Sequence, residues 1–345
     1  KSQNRQKKRN NETNQKTKKD QSFNLKEFIP KETMKEKEYE GNNFKPKQKK
    51  SSQHFSMKEV EKPTSSKVKK SPMKSTQKKG FHIRENQQRG FIDLDGTMYR
   101  GKDRIPTAEA FIKRLQEAKI PFLFVTNNAT KTPAQVAENL RVNYGTEVSA
   151  DEVYTSGVAA VDYLKSHFNV NRVMVIGEEA IKNQVEAAGY TLVSEEPEVV
   201  LQSLDRNVTY KDLETATLAI RNGATYIVTN IDSNLPSEKG PIPGSGAITG
   251  FLKVATQVEP IIIGKPSSVI MESALDYLNA KFPDSHFTKE DIAMVGDNYQ
   301  TDIQAGIQYG MDTLMVLTGF STREDLEKVE EQPTHLVEDL SEWTI

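Results

Sequence analysis

Phe-Ile-Asp-Leu-Asp-Gly-Thr, at residues 91–97, places two carboxylates directly after a short apolar run. We predict a strand over residues 91–94. Residues two apart in a strand point to the same side, so Asp93 and Asp95 would face one ligand. Gly96 permits the sharp turn that follows. Taken alone, the stretch also fits a turn that caps a helix, so its meaning depends on the rest of the chain.

Apolar runs alternate with helical patterns throughout the chain after this stretch. The predicted strands cover residues 91–94, 121–125, 173–176, 225–228, 261–263, 292–295 and 313–317, and the predicted helices cover residues 107–119, 132–144, 178–188, 211–221, 267–278 and 301–308. Strands that alternate with helices predict an α/β fold with a parallel sheet covered on both faces. Ligands of such sheets bind beyond the carboxyl ends of the strands.

Polar side chains follow three more of these strands: Thr126, Asn127 and Asn128, then Lys265, then Asp297 and Asp302. Each group by itself fits a helix cap, a solvated lysine or an ordinary acidic loop. Together they would bring several carboxylates to one sheet edge, where the charges repel unless a hard cation lies among them. Oxygen ligands without His or Cys favour Mg²⁺ over zinc. Lys265 and Thr126 would supply positive charge and donors for a phosphoryl group.

This order of motifs resembles that of the haloacid dehalogenase (HAD) phosphatases, most closely the NagD-like and p-nitrophenylphosphatase-like branch that includes acid sugar phosphatases. The resemblance covers about residues 90–345. It implies a HAD-type Rossmann-like parallel sheet core over residues 90–164 and 260–345, with a large α/β cap inserted over residues 165–259. It also implies a Mg²⁺-dependent phosphatase that hydrolyses small phosphomonoesters, with sugar or acid-sugar phosphates as the expected class.

The resemblance also implies a role for each site residue. Asp93 is the nucleophile that forms an aspartyl-phosphate, and Asp95 is the general acid and base. Mg²⁺ is held by the side chains of Asp93 and Asp297 and by the backbone carbonyl of Asp95. The remaining residues bind phosphate or support the metal site: Thr126, Asn127, Asn128 and Lys265 for phosphate, and Asp302 behind the metal.

A loop of the inserted segment, residues 229–246, resembles the cap loop that reaches the substrate in this family. We expect Ser233, Asn234 and Leu235 to make specificity contacts. A Pro/Gly-rich surface turn explains the same residues equally well. The Gly-rich run over residues 244–250 lacks the spacing of a dinucleotide fingerprint and follows Pro243 rather than a strand.

Residues 1–89 differ in composition from the rest of the chain. They carry 26 Lys and Arg against 10 Asp and Glu, a net charge of +16, whereas residues 90–345 carry 21 against 38, a net charge of −17. With 14 apolar residues in 89 and no alanine, this segment predicts a disordered basic tail. A weak contact with RNA or another polyanion is one interpretation. A solvated extension is favoured, because no folded RNA-binding signature accompanies the charge.

Composition excludes several other classes of protein. The chain has no cysteine, which excludes disulfides and thiolate metal sites. It has no apolar run of the roughly 18 residues that a membrane span needs, so a cytoplasmic protein is expected. The expected partner is a small phosphorylated metabolite, and a homo-oligomer is left open. The alternative function is a catalytically idle scaffold whose tail binds RNA or ribosomes, but binding alone would not require Asp95.

Overall fold

Arg89–Ile92 forms a central strand of a six-stranded sheet in which every neighbouring pair is parallel. Across the sheet the strands are His335–Val337, Asp312–Val316, Ile292–Gly296, Arg89–Ile92, Phe122–Thr126 and Val153–Thr155. Phe91 and Ile92 are fully buried but belong to two different apolar clusters, as expected for successive side chains of a strand covered on both faces. The predicted parallel α/β sheet is confirmed.

The computed structural model describes residues 81–82, 89–235, 237 and 239–344. Nearly all of the predicted basic tail, including the suggested contact with RNA, lies outside these residues. Three positions of the predicted tail lie within them. Phe81–His82 pairs in parallel with Trp343–Thr344, and Arg89 begins the central strand. Backbone hydrogen bonds at these positions offset the polar composition that led us to assign them to the tail.

Six of the described α-helices lie where the apolar periodicity predicts them, with shifts of a few residues at their ends, whereas Ser156–His167, Ser245–Thr256 and Arg323–Leu326 were not predicted. The α-helices are Pro106–Glu117, Pro133–Tyr144, Ser156–His167, Glu179–Ala187, Tyr210–Arg221, Ser245–Thr256, Ser268–Lys281, Gln304–Tyr309 and Arg323–Leu326. The boundaries follow local chemistry, as the second of these helices shows. Thr132 and Gln135 form a reciprocal cap at its start, and Gly145, with φ 64°, ends it in the left-handed region.

A second parallel sheet of five strands is built from the segment between residues 172 and 262. Across this sheet the strands are Ile261–Ile262, Thr225–Val228, Val199–Gln202, Arg172–Ile176 and Thr191–Leu192. Ile261–Ile262 was predicted within the core segment that begins at residue 260, but the strand completes the second sheet instead. The chain returns to the six-stranded sheet after this strand. The division into core and cap domains stays a prediction.

The helix Ser245–Thr256 was not predicted, because its sequence contains Gly246 and Gly250 and glycine disfavours helix interiors. Gly246 has a packing reason. A Cβ at this position would lie 2.2 Å from the carbonyl oxygen of Ile231, so only glycine allows the helix to approach that loop. The close approach holds the end of the strand Thr225–Val228 against the start of this helix.

One buried apolar cluster includes side chains of both sheets. Phe91 and Leu123 contribute from the six-stranded sheet, and Val173, Leu201 and Ile227 contribute from the five-stranded sheet. Within the part of the chain that the structure describes, no helix combines the length and apolar character needed to cross a bilayer.

Candidate active site

Three buried carboxylates meet at the carboxyl edge of the six-stranded sheet. Asp93 directly follows Arg89–Ile92, and its N–H donates to the carbonyl of Val295 at 2.9 Å, extending the strand pairing by one residue. Asp297 follows the neighbouring strand, and Asp302 lies in the π-helical turn after it. One carboxylate oxygen from each of the three lies within 4.8 Å of the others. The structure therefore brings together carboxylates that are up to about 200 residues apart in sequence.

Lys265 lies among these carboxylates and is only 1% exposed. Its Nζ is 2.5 Å from Asp93 Oδ1 and 2.7 Å from Asp302 Oδ1. It also donates to the carbonyl of Val125 at 2.9 Å, so all three ammonium donors have acceptors. Burial opposes the charged form, but the two carboxylates outweigh it and raise the pKa of Lys265 above its ordinary value. Lys265 is therefore a buried ammonium.

One ammonium does not neutralise three carboxylates. Burial raises the pKa of Asp93 well above its ordinary value, and the negative charge of Asp302 raises it further against the opposing effect of Lys265. Burial and Asp302 likewise raise the pKa of Asp297 to about 7. With all groups ionised, the formal charge of the cluster is −3 + 1 = −2. The ligand atoms are carboxylate oxygens, so the residues present fit one divalent hard cation such as Mg²⁺.

Two glycines leave the space that the Asp297 carboxylate occupies. A Cβ on Gly96, which has φ 92°, would lie 2.1 Å from Asp297 Oδ2, and a Cβ on Gly319 would lie 1.9 Å from the same atom. The carboxylate accepts hydrogen bonds from the Thr97 hydroxyl at 3.1 Å and from the Phe320 N–H at 2.7 Å. The loop with Gly96 and Thr97 and the loop with Gly319 and Phe320 therefore both orient Asp297. Sequence reasoning identified neither Thr97 nor Phe320.

Asp95 lies in a different environment from Asp93. Its side chain is exposed, and its carboxylate accepts a long hydrogen bond of 3.4 Å from the N–H of Gly101. It is not one of the three clustered carboxylates. The two acids of the same motif thus differ in access to solvent, one buried against Lys265 and the other open.

The polar triplet after Phe122–Thr126 divides into buried and exposed parts. Thr126 and Asn127 are buried, whereas Asn128 is exposed. The Asn128 N–H donates to Thr126 Oγ1 at 3.2 Å, and Asn128 Oδ1 accepts from the Thr130 N–H at 2.9 Å. These local hydrogen bonds hold the loop in a turn at the sheet edge.

The Asn127 side chain connects the edge of the six-stranded sheet with the loop that follows the strand Thr225–Val228 of the five-stranded sheet. Its Nδ2 donates to the carbonyl of Lys265 at 2.9 Å and to Asp232 Oδ1 at 3.2 Å. Asp232 also accepts from Asn230 Nδ2 at 2.7 Å. Burial raises the pKa of Asp232, and the hydrogen bonds from Asn230 and Asn127 oppose that rise. Sequence reasoning missed Asp232, although an acid two residues after Asn230 at a strand end is a signal of the kind used elsewhere.

The predicted specificity residues lie just after Asp232. Ser233 and Asn234 are exposed, and Leu235 is half-buried. Asn234–Leu235 pairs antiparallel with Ile242–Pro243 in a two-stranded hairpin. Their contact with a substrate stays a prediction.

Comparison with known proteins gives a consistent result over about three quarters of the chain. A family model described as haloacid dehalogenase-like hydrolase matches residues 90–191, and one described as HAD-hydrolase-like matches residues 262–343. The chain is 43% identical to the 5′-nucleotidase YutF of Bacillus subtilis, over 73% of this chain and 95% of that protein. It is 44% identical to an acid sugar phosphatase of Staphylococcus epidermidis, over 74% and 96%. Among solved structures, a putative p-nitrophenyl phosphatase from Bacillus subtilis matches with a TM-score of 0.67 and 41% identity, covering 76% of this chain and 96% of that one.

Proposed function

This chain belongs to the haloacid dehalogenase-like hydrolase family, as a phosphoric monoester hydrolase of its p-nitrophenylphosphatase-like branch, and we propose that it depends on Mg²⁺ and acts through an aspartyl-phosphate on Asp93. The observation that carries the proposal is the buried cluster at the sheet edge. There Asp93 contacts Lys265 and lies beside Asp297 and Asp302, with a formal charge of −2 left for a divalent cation.

The side chains of Asp93 and Asp297 and the backbone carbonyl of Asp95 would hold the metal. Bound Mg²⁺ would offset the charge of the phosphoryl oxygens as the nucleophile approaches. Asp302 supports this arrangement from behind, because it pairs with Lys265 at 2.7 Å and accepts the Asn298 N–H at 3.0 Å.

Asp93 and Asp95 divide the chemistry. A carboxylate oxygen of Asp93 forms a bond to phosphorus while the bond from phosphorus to the leaving oxygen breaks, and Asp95 gives its proton to that oxygen. Asp95 then takes a proton from water as the water oxygen bonds to phosphorus. The bond from Asp93 to phosphorus breaks, which releases phosphate and restores both acids. The exposure of Asp95 suits this exchange with leaving group and water.

Phosphate binding would use the remaining polar groups of the edge. The Thr126 hydroxyl and the exposed Asn128 amide would supply the donors that phosphate oxygens require, and the Lys265 ammonium would supply positive charge. Asn127 was predicted to bind phosphate too. That stays a prediction; its Nδ2 donates to the Lys265 carbonyl and to Asp232.

The names of the relatives support a small phosphorylated metabolite as substrate. We propose sugar or acid-sugar phosphates, because the match with the acid sugar phosphatase extends over 96% of that protein. Nucleoside 5′-monophosphates are the second class, supported by the similarity to a 5′-nucleotidase. A screen of phosphate release from both classes with the full chain separates them by kcat/KM.

Phosphate release by Asp93→Asn tests the mechanism. The full chain should release phosphate from p-nitrophenyl phosphate with Mg²⁺ and should lose this activity in EDTA. Asp93→Asn should fold and be inactive, because an amide is a far poorer nucleophile. Asp95→Asn should lose less activity with p-nitrophenyl phosphate than with an alkyl phosphate, since nitrophenolate leaves with little help from a proton. Asp284→Asn, at an exposed loop position, is the matched control. Wild-type turnover by Asp93→Asn, or full activity in EDTA, would refute the proposal.

A further inference from the structure

A chain of hydrogen bonds runs from the five-stranded sheet to Lys265. It starts at the carboxyl end of the strand Thr225–Val228, where the Thr229 hydroxyl lies 3.0 Å from Ser203 Oγ and donates to Asn230 Oδ1 at 3.0 Å. Asn230 Nδ2 donates to Asp232, and Asp232 accepts from Asn127. Asn127 in turn donates to the carbonyl of Lys265. Every link is a direct contact between groups that are at least half-buried.

The orientation of the Asn127 amide follows from its neighbours. Two acceptors, the Lys265 carbonyl and the Asp232 carboxylate, face the same end of the side chain, so that end must be the NH₂ group. Turning the amide over would set an oxygen against both acceptors. Asp232 and the Lys265 carbonyl together fix which way Asn127 points. The hydrogen bond to Asp232 thus helps to hold the Asn127 amide against the Lys265 backbone.

The identity of residue 232 follows from the same geometry. The NH₂ groups of Asn127 and Asn230 both point at its side chain. An ionised carboxylate suits this position, because both of its oxygens accept and it carries no proton that would face a donor. An asparagine at this position would place its own NH₂ group against one of these donors. Asp232 is thus the junction of the chain of hydrogen bonds.

We propose that Asp232 is a positioning residue of the phosphatase reaction, which holds Asn127 and through it the main chain of Lys265, so that the ammonium stays aligned with Asp93. This inference rests on the proposed function of Asp93 and Lys265. Asp232 acts through Asn127 and does not touch the reacting atoms. Its contribution is therefore the same whatever the leaving group is.

Kinetics of Asp232→Asn in the full chain test the proposal. The expected result is a fall in kcat of about 10- to 100-fold, as found for residues that orient a primary ligand, with a much smaller change in KM. The factor should be equal for p-nitrophenyl phosphate and for a hexose phosphate. The Mg²⁺ concentration for half activity should not change, because Asp232 contacts no proposed ligand of the metal. Asp284→Asn should match the wild type in every measurement.

A double variant distinguishes positioning from a general loss of structure. If Asp232 acts through Asn127, then Asp232→Asn combined with Asn127→Ala should lose no more kcat than the worse single variant. Multiplying losses, an unchanged kcat for Asp232→Asn, or a factor that depends on the substrate would each overturn the proposal. Asp93→Asn in the same assay keeps the two questions apart, since its activity tests the mechanism and not the role of Asp232.

A milder variant covers the case in which Asp232→Asn does not fold. Asn230→Ser leaves the carboxylate in place and removes its 2.7 Å donor. This variant should show the same pattern, a lower kcat at nearly constant KM, with a smaller factor. A wild-type kcat for folded Asn230→Ser would overturn the proposal as well.

Discussion

Replacing Lys265 by methionine should destabilise the folded chain. In the described part of the chain Lys265 is the only cationic side chain paired with any of the three clustered carboxylates, and it pairs with Asp93 and Asp302. Lys265→Met keeps the length and apolar stem of the side chain but loses hydrogen bonds to Asp93 at 2.5 Å and Asp302 at 2.7 Å. Charge-assisted bonds of this kind contribute about 1.5–3 kcal/mol each. Measured losses for a buried pair with one partner removed are about 3–5 kcal/mol. We expect a loss in that range without metal.

Urea unfolding of wild type and Lys265→Met in EDTA measures this loss. Lys253→Met is the control, because Lys253 pairs with Glu259 at a similar 2.7 Å but the side chains are 33% and 77% exposed. An exposed pair is worth about 0–1 kcal/mol, so Lys253→Met should change stability little.

The pH dependence of the loss has a definite sign. Without Lys265 the pKa of Asp93 in the folded state rises further above its unfolded value, so the folded variant keeps a proton to higher pH than the unfolded chain. Stability of the variant is then lost as pH rises through that folded-state pKa. The difference from wild type should be larger at pH 8 than at pH 5. A loss no greater than that of Lys253→Met, or a loss that grows toward acid pH, would refute this account of the cluster.

Three further outcomes follow from the geometry. Without metal, the melting temperature should fall as pH rises toward 8, because the pKa of Asp297 is raised to about 7 in the folded state and its protonated form stabilises the fold below that pH; Mg²⁺ should reduce the fall, and a flat profile in EDTA would contradict the argument. Gly319→Ala should raise the Mg²⁺ concentration for half activity by moving Asp297. Gly250→Ala is its control, because this helix position has no atom within 4 Å of the added Cβ, and the substitution should stabilise the chain by about 0.5–1 kcal/mol. If both substitutions changed the Mg²⁺ dependence equally, the displacement of Asp297 would not be its cause. Removal of residues 1–85 should lower the melting temperature more than removal of residues 1–79, because only the longer deletion loses the pairing of Phe81–His82 with Trp343–Thr344; equal melting temperatures would show that this pairing adds no stability.

The sequence predicts much of the edge of the six-stranded sheet, because Asp93 and Asp297 directly follow buried strands of that sheet. Lys265 was found by the same rule, although the strand before it, Ile261–Ile262, belongs to the five-stranded sheet and is only half-buried. The structure brings these three residues together. Asp232 follows a strand of the five-stranded sheet. The resemblance implies that its loop, residues 229–246, reaches the substrate, but no sequence pattern identifies the residue that Asp232 contacts there. Its role depends on a contact with Asn127 across more than 100 positions of the chain.

The same limit explains the errors in the fold. The apolar pattern of Ile261–Ile262 predicts a strand but does not say to which sheet the strand belongs. Its pairing with Thr225–Val228 assigns it to the five-stranded sheet. The strand Val199–Gln202 was also missed, although its three consecutive apolar residues resemble the short runs that were assigned to strands elsewhere. In the helix Ser245–Thr256, the glycine that lowers helix propensity is required by a neighbouring carbonyl. In this helix tertiary packing overrides local preference.

The apolar cluster shared by both sheets couples the two halves of the chain during unfolding. Separating them would expose side chains such as Phe91, Val173 and Ile227 to water, at about 25 cal/mol for each Å² of apolar surface. Neither half can therefore melt without exposing the contact surface of the other. We expect one calorimetric peak for residues 89–344, with equal van't Hoff and calorimetric enthalpies. A cavity made in the five-stranded sheet, as by Ile227→Ala, would then lower the temperature at which the strands around Asp93 are lost.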